Sequence, residues 1–138
     1  RNLQEAITLV DTVGADNLYI MVDTPHAARA GVTAAELKRT DPKYFHFIHL
    51  CDGPAGPDGD PVLSDINAPL MLHTAREARL YPGEGAMDIA GMVSAMPEIP
   101  LSIELPNLER IKELGVEGHA RRCLETAKAY FKEHGVAI

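Results

Sequence analysis

Apolar residues recur along this chain with two different periods. Leu3, Ala6, Ile7, Val10 and Val13 fall at helical spacing and predict an amphipathic helix over 2–13, closed by Gly14. Residues 18–22 are instead a short unbroken apolar run ending in Asp23, with the β-branched and aromatic content of a strand buried on both faces. Thr33-Ala34-Ala35-Glu36 has the capping-box spacing, so a short helix starts near Thr33, and Asp41-Pro42 ends it. A second apolar run, 44–50, leads into Cys51-Asp52-Gly53 and a loop over 51–62 rich in Gly, Pro and Asp. A weak helix is expected over 70–79, a turn at 81–85, and a helix over 89–96 with Asp88 as its cap. The third apolar run, 100–105, stops at Pro106. Leu108, Ile111 and Leu114 then mark a short helix closed by Gly115. A final helix is expected from about Gly118 to His134, with Ala120, Cys123, Leu124, Ala127 and Phe131 facing inward.

Buried strands alternating with helices imply an α/β fold with parallel pairing and right-handed crossovers. Three strands cannot close a barrel, and a complete (β/α)8 barrel takes about 250 residues, against 138 here. The order therefore fits a small open sheet or the C-terminal part of a barrel. Arg1, rather than Met, opens the chain inside a helical pattern, which reads as a piece of a longer protein. Such a piece would leave Met21, Phe47 and Ser102 on an uncovered face. The expected partner is the rest of a barrel upstream or a second copy.

Charge narrows the function classes. Lys plus Arg is 13 and Asp plus Glu is 20, a formal charge of −7, which argues against a nucleic-acid or anionic-membrane binder. No apolar run approaches the roughly 18 residues of a membrane span. Two cysteines, Cys51 and Cys123, are too few for a disulfide framework and read as buried free thiols in a reducing cytoplasm.

Each apolar run carries its polar group at its C-terminal end, where parallel α/β folds gather their chemistry. Side chains alternate across a strand. Ile20 and Val22, Ile48 and Leu50, Ile103 and Leu105 share an aliphatic face, while Asp23, His49 and Glu104 share the opposite parity and the same edge. Two carboxylates and an imidazole there suit a divalent metal. His26 follows Asp23 by three residues, in the loop leaving the strand, so Asp-x-x-His can aim both groups at one rim pocket. Gly83-Glu84-Gly85 follows Arg76 and Arg79, and such a turn lets backbone approach a ligand that arginine can clamp. It matches no nucleotide fingerprint. His46, given the parity of the aliphatic face, and His73, His119 and His134 read as structural, and Met87, Met92 and Met96 as core. Asp58-Gly59-Asp60 lacks calcium-loop spacing, and there is no Gly-x-Ser-x-Gly elbow.

Val22-Asp23-Thr24-Pro25-His26, Ile48-His49-Leu50-Cys51-Asp52, Leu80-Tyr81-Pro82-Gly83-Glu84-Gly85 and Ser102-Ile103-Glu104-Leu105-Pro106-Asn107 resemble, in order, the last three strand ends of the xylose isomerase-like TIM-barrel superfamily, in its sugar phosphate isomerase/epimerase group. The resemblance covers nearly the whole chain. It implies strands six to eight of a (β/α)8 barrel, and a divalent cofactor (Mn, Mg, Co or Zn) held by Asp23, His49 and Glu104. The fourth ligand, a fifth-strand Glu, would lie before Arg1, so the chain by itself is expected to be inactive. The resemblance also implies catalytic roles for Glu104 and His26 and substrate contacts from His26, Arg79 and Glu84. Abasic-DNA repair relatives carry extra metal ligands where this chain has Glu77 and Arg79, which disfavours an endonuclease. The implied activity is a cytoplasmic, metal-dependent sugar isomerase or epimerase that takes a proton from the carbon beside a carbonyl of a small carbohydrate. A lyase or dehydratase on a cyclic keto-polyol or dehydroshikimate-like substrate is the alternative, and a non-catalytic barrel scaffold a third.

Overall fold

A computed structural model describes residues 2–56 and 68–138. The element order is α1 (Leu3–Val13), β1 (Ile20–Asp23), α2 (Thr24–Arg29), α3 (Ala34–Arg39), a 3-10 turn (Pro42–Tyr44), β2 (Phe45–Leu50), α4 (Ala68–Glu77), α5 (Ile89–Ala95), β3 (Leu101–Ile103) and α6 (Leu108–Glu133). The strands form one sheet in the order β1-β2-β3, and both pairings are parallel. This is the α/β arrangement that the alternation predicts. The loop expected over 51–62 is described only to Gly56, and Asp58-Gly59-Asp60 lies outside the described residues.

The helix ends follow local chemistry. Asn2 caps α1 by accepting from the Glu5 N–H, and Gly14 ends it with φ 63°, a left-handed conformation that costs glycine little. Thr33 accepts from Glu36 N at 3.2 Å and Asp88 from Gly91 N at 3.0 Å, as capping predicts. The core lies between the aliphatic sheet face and the helices: Val22, Ile48 and Leu50 pack with Leu37, Ile89, Ala127 and Phe131. Met87, Met92 and Met96 are buried there as well. On the other face Met21 is 40% exposed.

Three expectations are corrected. His26 is not in a loop: Asp23 caps a short helix, α2, with Pro25 in its first turn, and His26 lies within it. His46 does not share the aliphatic face. Ile20 pairs with Phe45 but Met21 with Phe47, so one extra residue of β2 is bulged out. The bulge leaves Phe45 buried and His46 exposed, stacked on Tyr19 with ring centroids 4.8 Å apart. The inward stripe of α6 is His119, Cys123, Ala127 and Phe131, whereas Ala120 and Leu124 face outward. His119 can be buried because both ring nitrogens find partners: Nε2 donates to the Leu105 carbonyl at 2.9 Å, and Nδ1 lies 2.8 Å from the Tyr81 hydroxyl. The short helix ending at Gly115 and the final helix run on as α6, kinked at Gly115 (φ 70°, ψ 166°).

Candidate metal centre

Register brings the strand-end groups together. Asp23 stands opposite His49, and His49 opposite Ser102, so Glu104, two residues on, falls on the same face one step beyond. The Glu104 N–H donates to the Leu50 carbonyl at 3.2 Å, extending the pairing past β3. One ligand atom from each of Asp23, His49 and Glu104 then lies within 4.8 Å of the others. His49 Nδ1 is 4.0 Å from Asp23 Oδ2 and 3.6 Å from Glu104 Oε2. Phe47 meets the His49 ring edge-on with centroids 5.2 Å apart.

The end of β1 is tied down by backbone contacts. Asp23 Oδ1 accepts from His26 N at 3.2 Å, which leaves Oδ2 for the cluster. The fully buried Thr24 hydroxyl donates to the Cys51 carbonyl and accepts from Cys51 N, clamping α2 to the end of β2. His26 itself is exposed at the rim.

Arg79 enters the same cluster. Its Nη1 lies 2.7 Å from Asp23 Oδ2, 2.7 Å from Glu104 Oε2 and 3.1 Å from Cys51 Sγ. Burial works against its charge, but the hydrogen bonds to Asp23 and Cys51 outweigh it and raise the pKa above the usual arginine value. Burial also pushes the Cys51 thiol up to about 12, against the pull of Arg79, so Cys51 is a protonated, unreactive neighbour. Arg79 arrives there because residues 78–80 run between two strand ends. Leu80 exchanges backbone hydrogen bonds with Asp52, Arg79 N donates to the Pro106 carbonyl at 3.1 Å, and Asn107 Nδ2 donates to the Arg79 carbonyl at 2.9 Å.

Glu84 is held elsewhere. Its carboxylate accepts from Tyr81 N at 3.3 Å and pairs with Arg110 at 3.4 Å, shaping the turn rather than joining the cluster. What builds that turn is Asp52, a residue whose role sequence reasoning missed. It is 1% exposed, and its carboxylate accepts backbone N–H groups of Gly53, Gly83, Gly85 and Met87 at 2.8–3.1 Å. A side chain at Gly85 would run into the Gly53 carbonyl and the Asp52 carboxylate, which is why glycine stands there.

The donor set fits a divalent metal. Two carboxylates and an imidazole suit Zn, Mn, Co or Mg. Glu104 Oε2 is shielded from water and makes no aligned hydrogen bond, with Arg79 beside it only as a charge partner. Such an oxygen, beside a charge but without an aligned donor, keeps lone-pair capacity for a metal.

A family-wide profile described as xylose isomerase-like TIM barrel matches residues 1–130. The chain belongs to that family. Among xylose isomerase-like relatives, the inosose isomerase of Bacillus subtilis is 29% identical over 125 residues, covering 91% of this chain and 40% of that protein. The inosose isomerase of Bacillus velezensis is 30% identical, covering 95% and 43%. A 1.8 Å crystal structure of IolI protein with a bound zinc atom superposes with TM-score 0.69 at 25% identity, covering 95% of this chain and 44% of that one. A xylose isomerase domain protein from Alicyclobacillus acidocaldarius shares the fold, with TM-score 0.56 at 21% identity, over 92% of this chain and 44% of that one. The chain thus spans less than half the length of the relatives it matches. Among the described residues, no helix is long and apolar enough to cross a membrane.

Proposed function

We propose that this chain supplies strands six to eight of a xylose isomerase-like barrel, and that the whole protein is a metal-dependent sugar isomerase acting on a polyhydroxy ketone of the inosose type. The observation that carries this reading is the convergence of Asp23, His49 and Glu104 at the C-terminal edge of three parallel strands. The identity with inosose isomerases supports the substrate class.

Asp23 Oδ2, His49 Nδ1 and Glu104 Oε2 would hold the cation, and the expected fourth ligand comes from the fifth strand. When bound, a divalent cation polarises the ketone oxygen and acidifies the neighbouring C–H. Glu104 is the most exposed member of the cluster, with 41% of its side chain accessible against 8% for Asp23 and 25% for His49. Its carboxylate is the group placed to take that proton and return it to the adjacent carbon. His26, on the rim, orients a substrate hydroxyl, and Thr24 keeps the end of β1 fixed while it does so. Neither DNA nor a membrane is a partner in this reading, and the setting is the cytoplasm.

The test is to incubate the full-length, metal-loaded protein with an inosose in D2O and follow it by NMR. Deuterium entering at the carbon beside the ketone, with an isomeric ketone as product and loss of both on chelation, supports the proposal. A product lacking one water would replace isomerase with lyase, and formation of neither an isomeric nor a dehydrated product would overturn both.

A further inference from the structure

Arg79 already supplies positive charge to the two oxygens that a metal would use. The oxygens nearest His49 Nδ1 are Asp23 Oδ2 and Glu104 Oε2, and these are the two that Arg79 Nη1 approaches at 2.7 Å each. Of the two Asp23 oxygens, Oδ1 already accepts from the His26 N–H, so Oδ2 is the one turned to the cluster. A guanidinium keeps its charge in proteins, so it cannot be neutralised in place; it has to move. Its backbone is pinned on both sides by Pro106 and Asn107, and turning the guanidinium means releasing the bond from its Nε to the Ala75 carbonyl at 3.0 Å. Movement is therefore confined to the side chain.

A second cation adds to the crowding. Arg29, at the end of α2, has its Nε buried with no hydrogen-bond partner. Burial and the proximity of Arg79 both work against its charge. Arg29 and Arg79 together match Asp23 and Glu104 in charge. A divalent ion added beside them leaves the cluster with surplus positive charge.

We infer that Arg79 and a divalent cation compete for the Asp23 and Glu104 oxygens, so that metal binding turns the Arg79 guanidinium away from them and frees it to hold substrate oxygens. The metal then arms the substrate site as well as activating the ketone, and binding is ordered, metal before sugar. This inference rests on the metal-centre reading above.

The test is a zinc titration of the full-length, chelator-stripped protein against a chromophoric competitor, with Arg79→Met and His49→Ala beside the wild type. Competition requires Arg79→Met to bind zinc more tightly, on the order of tenfold or more, because it removes a charge from two ligand oxygens. His49→Ala should bind more weakly. If His49→Ala weakens binding but Arg79→Met binds zinc equally or less tightly than the wild type, Arg79 supports the ligands and the inference falls while the metal centre stands. If the wild type binds no zinc, or His49→Ala leaves its affinity unchanged, the metal centre falls and takes the inference with it. Should Arg79→Met fail to fold, the wild type still decides: the NMR signal of the Arg79 Nε–H, assigned with Arg79→Lys, must shift and lose protection from exchange as Zn2+ is added. An unchanged signal in a zinc-bound protein overturns the inference.

Discussion

Asp23 and Asp52 are two buried aspartates at neighbouring strand ends, and they are satisfied in opposite ways. Asp52 is ringed by backbone: four N–H groups, from Gly53, Gly83, Gly85 and Met87, converge on its carboxylate. Asp23 gives one oxygen to a backbone N–H and the other to a side chain, Arg79, which it shares with Glu104. Backbone donors cannot turn away, so Asp52 has one arrangement and acts as architecture. A side-chain donor can swing on rotatable bonds, so the Asp23–Glu104 pair is able to exchange its partner. Burial alone does not separate a structural carboxylate from a chemical one; the mobility of its partners does.

The contrast is sharpest in substitutions that trade one effect for another. Glu104→Gln should lower kcat/KM of the full-length protein about 100- to 10,000-fold, by removing the acid/base group. Its stability should change by less than about 2 kcal/mol in urea, since the amide keeps an oxygen toward Arg79 and Arg79 keeps its pair with Asp23. Asp52→Asn should do the reverse to the fold. Its NH2 would face N–H donors, and charge-assisted bonds would be lost, at a cost of about 3 kcal/mol measured by urea unfolding. A stable Asp52→Asn protein would erase the distinction drawn above. Gly85→Ala tests the same turn from the backbone side. Its methyl group would meet the Gly53 carbonyl and Asp52, so a loss of about 2 kcal/mol is expected.

Cys51 lies between the two centres and gives the smallest effect. Its pKa is raised from 9.0 to about 12, first by burial, so the folded chain keeps the thiol protonated while the unfolded chain ionises. The stability it contributes is therefore fully present below about pH 9 and is lost as pH climbs toward 12. The slope approaches about 1.4 kcal/mol per pH unit. Urea unfolding at pH 8 and pH 10 should show a steeper decline for the wild type than for Cys51→Ala. Parallel curves would mean that the thiol ionises in the folded protein.

Much of the site was legible in sequence because strands obey a period of two. Parity alone places Asp23, His49 and Glu104 on one face, and the strands that carry them are unbroken apolar runs. The same rule misassigned His46, since a bulge inserts one residue without any signal in the residue types around it. Position just past a strand end puts His26 in a loop, although Asp23-Thr24-Pro25 carries a helix-start signature, a cap followed by proline in the first turn. Sequence names Arg79 as a substrate contact, but its pairing with Asp23 and Glu104, like the role of Asp52, is beyond reach for a different reason. Arg79 meets Asp23 across 56 residues of chain, and Asp52 meets Gly83 across 31. Contacts of that separation come from topology and leave no local pattern. His119 is structural, as its sequence context suggests, but its place in the inward stripe of α6 depends on Tyr81 and Leu105, which satisfy its ring from distant parts of the chain.

The kink at Gly115 divides α6 into two lengths with different fates. All four buried residues of the helix, His119, Cys123, Ala127 and Phe131, lie after the kink, while Leu108 and Leu114 before it are 55% and 41% exposed. The first length is anchored mainly by its Asn107 cap, the second by the core. Opening the first length therefore sacrifices little apolar contact, whereas opening the second dismantles the core. Amide protons before the kink should exchange with solvent through local fraying, and those after it only through global unfolding. A single hydrogen-bonded rod on paper thus behaves as two cooperative units, and the looser one adjoins the loop that carries Glu104.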